Sequence, residues 1–64
     1  MVAVNGEMAD IAGRNLLEYL TTEGYQLSKV VVERNYEILS YERLAEITLE
    51  EEDIIEVLRF VGGG

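Results

Sequence analysis

The 64 residues carry 13 acidic and five basic side chains, a formal net charge of −8, and contain no cysteine and no histidine. No disulfide, thiolate nucleophile or zinc–thiolate site can therefore form within the chain, and imidazole, the commonest general base and metal ligand, is missing. The acidic balance disfavours nucleic acid and anionic membrane surfaces, and it favours solubility or a partner with a basic docking surface.

A chain of this length accommodates one domain with a modest core. No apolar run approaches the length needed to cross a bilayer. Met1–Asn5 lacks the basic region and long apolar stretch of a secretory signal, so a cytoplasmic protein is expected.

In chain order, residues 1–5 alternate, with Val2 and Val4 on one face and Met1 and Ala3 on the other, and read as an opening strand. Asn5-Gly6 is a two-residue hairpin signal, because both positions tolerate positive φ. The return strand is expected near Glu7–Asp10. From about Ala12 to Glu23 the period becomes helical, with Leu16, Leu17 and Leu20 on one stripe. The helix start is open between a cap at Asp10, at Ala12, or at Asn15 with Glu18 three residues on. Gly24 is a helix stop. Tyr25–Ser28 reads as a loop, with Leu27 closing the core over the helix end.

Val30–Arg34 is the clearest strand, with Val30 and Val32 expected inward. Asn35-Tyr36 forms a turn and Glu37–Leu39 a returning strand. Tyr41–Leu44 reads as a helical turn, and Ala45–Leu49 as a short strand with Ile47 and Leu49 inward. Glu50–Asp53 reads as a solvated acidic turn. It lacks the interleaved ligands and glycine of an EF-hand loop, so no metal site is expected there.

Ile54–Val61 is the last strand. Ile55 and Val57 share one face; Glu56, Leu58 and Phe60 share the other, which Glu56 marks as open. Leu58 and Phe60, with the adjoining Val61, are candidates for a docking patch. Residues 1–61 thus form one folded body, and 62–64 a flexible glycine tail. Gly62, Gly63 and Gly64 cannot contribute to a core and lose much backbone entropy on ordering, so the tail is either filler or a segment that threads into a narrow place. One helix on one face of a mixed sheet of four to five strands is an α+β architecture. The pattern permits a ubiquitin-like β-grasp, with first and last strands parallel neighbours.

Several segments together resemble the sulfur-carrier protein of thiamine biosynthesis, the ubiquitin-like ThiS family. They are Asn5-Gly6, Leu16-Leu17, Val32-Glu33-Arg34-Asn35 with Glu37-Ile38, Arg43, Asp53-Ile54-Ile55-Glu56, and Phe60-Val61-Gly62-Gly63-Gly64. Two local departures are Ala12-Gly13, where the family often has Thr or Ser, and Glu52, where it often has Gly before the Asp. The resemblance implies that an ATP-dependent, ThiF-like adenylating enzyme activates the Gly64 carboxylate. A sulfur donor system then replaces AMP to leave a thiocarboxylate, and thiazole synthase receives the sulfur. It implies a protein co-substrate rather than an enzyme, monomeric on its own, that binds no cofactor, the ATP being used by its partner. Gly63 suits a narrow channel beside Gly64, and Gly62 suits a hinge. The alternatives are the small subunit of molybdopterin synthase, a ubiquitin-like modifier or interaction module joined through Gly64, and a structural domain with an incidental glycine tail.

Overall fold

The computed structural model describes residues 1–60. Val61, Gly62, Gly63 and Gly64 lie outside the described residues, and with them the expected boundary between body and tail; the last strand ends at Arg59, short of the expected Val61, and Phe60 follows it outside the strand. The elements are β1 (Val2–Val4), β2 (Glu7–Ala9), α1 (Leu16–Thr22), a 3₁₀ turn (Leu27–Lys29), β3 (Val30–Arg34), β4 (Glu37–Leu39), α2 (Tyr41–Leu44) and β5 (Ile54–Arg59). They form one five-stranded sheet in the order β2-β1-β5-β3-β4. β5 runs parallel to β1 and antiparallel to β3, and the two hairpins, β1–β2 and β3–β4, flank it. The parallel central pair is the one expected of a β-grasp.

Both hairpins turn through two residues of positive φ, Asn5 (50°) with Gly6 (84°) and Asn35 (51°) with Tyr36 (72°). This geometry matches the right-handed twist of the strands it joins. Side-chain alternation then divides the sheet. Val2, Val4, Val32, Ile55 and Val57 are buried beneath Leu16, Tyr19 and Leu20 of α1, and Leu44, Ile47 and Leu49 complete the core.

α1 begins later than the earliest expected start. Asn15 is its cap, accepting a 3.0 Å hydrogen bond from the Glu18 N–H on its side-chain oxygen. The residues before it are drawn into another partnership. The Gly13 N–H donates to the Leu49 carbonyl (2.7 Å), the Leu49 N–H to the Arg14 carbonyl (2.8 Å), and the Leu16 N–H to the Ile47 carbonyl (3.0 Å). The same contacts correct the expectation of a strand over 45–49. Ile47 and Leu49 do point inward, but the segment makes a single bridge, Asn15 to Thr48, and joins no strand of the sheet. At its other end α1 closes on Gly24 (φ 88°), with Gly24 N–H bonded to the Thr21 carbonyl and Tyr25 N–H to that of Leu20. These are the two bonds of a Schellman cap.

The acidic turn is a second correction. Asp53 is not solvated; it is 6% exposed. Its Oδ2 accepts from Arg34 Nε (3.0 Å) and from the Glu50 N–H (2.9 Å), and its Oδ1 from Asn35 Nδ2 (3.2 Å). Asn35 Oδ1 in turn accepts from the Ile54 N–H (2.9 Å), and the Asn35 N–H donates to the Ile54 carbonyl (2.7 Å). A turn between β3 and β4 is thereby clasped to the first residue of β5. Burial alone would push the Asp53 carboxyl up, but the hydrogen bonds from Glu50, Asn35 and Arg34 outweigh it and hold the group below the usual carboxylate range. Glu52, just before it, is forced to a φ of 71°. A side chain with a Cβ is disfavoured there.

Two outcomes follow from this corner. Glu52→Gly relieves the left-handed strain and raises unfolding free energy by about 0.5–1 kcal/mol, measured by urea denaturation. Asp53→Asn lowers it by about 2 kcal/mol at pH 7, because buried donors lose their charged acceptor. A depressed folded-state value means that this contribution is complete above the unfolded carboxyl value of about 4. It is lost as pH falls from there through the folded value. The gap between the urea midpoints of wild type and Asp53→Asn is therefore full at pH 7 and narrows progressively as pH is lowered below about 4.

Candidate functional site

With α1 on one side, the sheet leaves its other side open. Strand alternation places Ala3, Met8, Val31, Glu33, Ile38, Ile54, Glu56 and Leu58 there. The registers Ala3–Met8, Ala3–Ile54, Val31–Leu58, Glu33–Glu56 and Glu33–Ile38 set them side by side. Leu58 is 51% exposed and Phe60 60%. The expectation that these two lie outside the core while Ile55 and Val57 lie inside it agrees with the structure. Val61, the third member of the expected patch, lies outside the described residues, as do Gly62, Gly63 and Gly64.

β5 is held against its neighbour to the last described residue. The Phe60 N–H donates to the Lys29 carbonyl at 3.0 Å, after Val30 pairs with Arg59. Phe60 is thereby fixed beside the 3₁₀ turn. Around it a shallow depression of about 270 Å³ is lined by Gly24, Gln26, Lys29, Val30, Arg59 and Phe60. Arg59 lies over the Tyr25 ring, 5.0 Å from its centroid, a cation–π arrangement that keeps the guanidinium on the helix side of the sheet. Sequence reading did not single out Lys29 and Arg59 beside Phe60. The signal for Arg59 was its alternation with Leu58 and Phe60. That for Lys29 was absent, because only the 3₁₀ turn and the pairing of β3 with β5 bring it there.

No group of three or more acidic side chains among the described residues is placed to hold a metal ion. Every buried side-chain polar atom among them has a hydrogen-bond partner. Asp53, the one buried charged residue among them, is committed to the clasp described above.

The model of the ThiS family matches residues 2–64. The chain is 52% identical over 42 residues to the sulfur carrier protein ThiS of Bacillus subtilis (strain 168), an alignment covering 62% of this chain and 64% of that protein. It is 39% identical over 64 residues to a thiazole synthase of Magnetococcus marinus and 34% identical over 64 residues to one of Paramagnetospirillum magneticum. Each of these alignments covers 98% of this chain and 20% of the synthase. The chain thus spans just under two thirds of the Bacillus protein and a fifth of each synthase. The crystal structure of the thiamine biosynthesis protein (ThiS) of Geobacter metallireducens shares the fold with a TM-score of 0.77 at 36% identity, over 98% of this chain and 97% of that one.

The exposure of the patch carries its own outcome. Leu58→Glu and Phe60→Glu each change the unfolding free energy by less than about 1 kcal/mol, the range of substitutions at exposed sites. Thermal melts of the two variants check this, with Ile55→Glu as the buried contrast that fails to fold.

Proposed function

The chain belongs to the ThiS family, and from that premise we propose that it is a sulfur carrier in thiamine biosynthesis whose reactive atom is the carboxyl carbon of Gly64. The match over residues 2–64 carries this reading, because it includes the Phe60–Gly64 segment as well as the folded body. The absence of histidine and cysteine supports it further, since a carrier needs neither.

The chemistry follows from what a carboxylate lacks. At neutral pH it is ionised and unreactive toward a sulfur nucleophile. One of its oxygens attacks the α-phosphorus of ATP on an adenylating partner, pyrophosphate leaves, and the resulting acyl-adenylate has AMP as a good leaving group. Hydrosulfide supplied by the donor system then adds to the acyl carbon, AMP leaves, and loss of the S–H proton gives the thiocarboxylate. The catalytic groups and the ATP belong to the partner, so this chain acts as a co-substrate. Glycine at 63 and 64 lets backbone approach backbone in a narrow channel, where a Cβ would add bulk and restrict φ and ψ. Gly62 is the hinge, and Leu58, Phe60 and Val61 form the docking patch that seats the body on the partner.

The acceptor is a thiazole synthase. In Magnetococcus marinus and Paramagnetospirillum magneticum, a segment resembling 98% of this chain lies within a longer protein of that name. Joining a carrier to its acceptor raises their effective concentration, a benefit only where the two work together.

Removal of Gly64, or Gly63→Val, abolishes ATP–pyrophosphate exchange by the adenylating enzyme while leaving the thermal melt of the body unchanged. Full exchange activity in either variant would contradict the assignment.

A further inference from the structure

The open sheet face carries a charge pattern that a free protein has no reason to keep. Glu33 on β3 and Glu56 on β5 are direct cross-strand partners, and both are half-buried on the same face. Like charges directly opposite one another on a sheet destabilise it. Neither carboxylate belongs to any ion pair among the described residues. The intramolecular cations that could relieve them are placed elsewhere. Arg34 is held by Asp53 and Glu50, Arg43 by Glu46, Arg14 lies over Tyr19, and Arg59 over Tyr25. Lys29 sits in the turn before β3.

The surroundings of this pair are apolar. Ile38, 71% exposed, pairs with Glu33 on the outer side, and Val31 pairs with Leu58 on the next row. On the other side of β5 is a groove of about 450 Å³ lined by Ala3, Gly6, Met8, Ile54 and Glu56, among others. Met8 is 73% exposed at its rim. Two unpaired carboxylates at the centre of an apolar face match a partner surface with the opposite layout.

We propose that Glu33 and Glu56 together receive one guanidinium or ammonium group of the thiazole synthase, and that aliphatic or aromatic side chains flanking that cation fill the Ala3–Met8–Ile54 groove and cover Leu58. This rests on the sulfur-carrier reading for the partner's identity, and on the sheet geometry for its chemistry. The synthase is chosen over other occupants because segments similar to this chain are covalently joined to synthases of that name, which holds the two at high effective concentration. A cation desolvated between two carboxylates and ringed by apolar contacts is an arrangement that fixes docking register as well as affinity.

The test compares Glu33→Gln/Glu56→Gln with Glu18→Gln/Glu42→Gln, which changes net charge equally but away from this face. In the free protein, the first double variant melts about 2–5 °C higher than wild type as the opposed charges are removed. An unchanged or lower melt would overturn the claim that the pair is unrelieved. Binding to the purified thiazole synthase is measured by calorimetry at fixed salt. A loss of tenfold or more for the face variant, with less than twofold for the control, supports the proposal. Equal losses would reduce the effect to long-range charge and overturn it. A loss confined to the adenylating enzyme would overturn the choice of occupant. Failure of the carrier reading is separately visible: wild type would then bind the synthase and yet acquire no sulfur. Absence of wild-type binding would overturn the proposal itself.

Discussion

The buried carboxylate of Asp53 is the constraint from which the rest of the described molecule is positioned. It takes hydrogen bonds from Arg34, Asn35 and the Glu50 backbone, while Asn35 holds Ile54 through both its side chain and its backbone. These contacts lock the β3–β4 turn to the start of β5. Because side chains alternate along a strand, a slip of one residue at Ile54 would exchange Ile55 and Val57 with Glu56 and Leu58. The clasp thus decides which residues form the core and which form the open face.

That geometry divides the work between body and terminus. The body buries its apolar residues on the α1 side and commits its buried charge to register. In the proposed account its recognition groups lie outside that core: an apolar strand end at Leu58 and Phe60, and further in, the opposed carboxylates of Glu33 and Glu56. In the proposed function the covalent chemistry is concentrated at one terminal carbon, and the partners supply catalysis. The acidic net charge then serves encounter with basic surfaces, whereas Lys29 and Arg59, beside Phe60, are a local exception to it.

Much of this was legible in the residues. Asn5-Gly6, the Leu16–Leu20 stripe, Gly24 and the Val30–Val32 run each have a strong local cause, and each formed the element expected. The alternation in β5 correctly separated Ile55 and Val57 from Leu58 and Phe60. What was not legible depended on partners distant in the chain. Residues 12–15 fell within the expected helix, but the Gly13 N–H and the Arg14 carbonyl are taken by Leu49 and the Leu16 N–H by Ile47, which shortens α1 and at the same time removes the expected strand over 45–49. Asp53 looked like one carboxylate of an exposed run, and only the return of Arg34 and Asn35 to its side makes it a buried anchor. The Glu52 departure reads differently in the light of the structure: its φ of 71° explains why glycine suits that position. At the candidate site, the exposed strand end was readable from alternation. The Glu33–Glu56 opposition was not, since it exists only through the register of β3 against β5.

The central claim is that sulfur is carried on the carboxyl carbon of Gly64. The most direct measurement is intact-protein mass spectrometry with backbone fragmentation, after incubation with the adenylating enzyme, ATP and a sulfur source. The account predicts a mass increase equal to the exchange of one oxygen for sulfur, confined to the fragment that ends in Gly64. Sulfur located on any other fragment, or a conjugate linked to a lysine side chain in place of a thiocarboxylate, would contradict it.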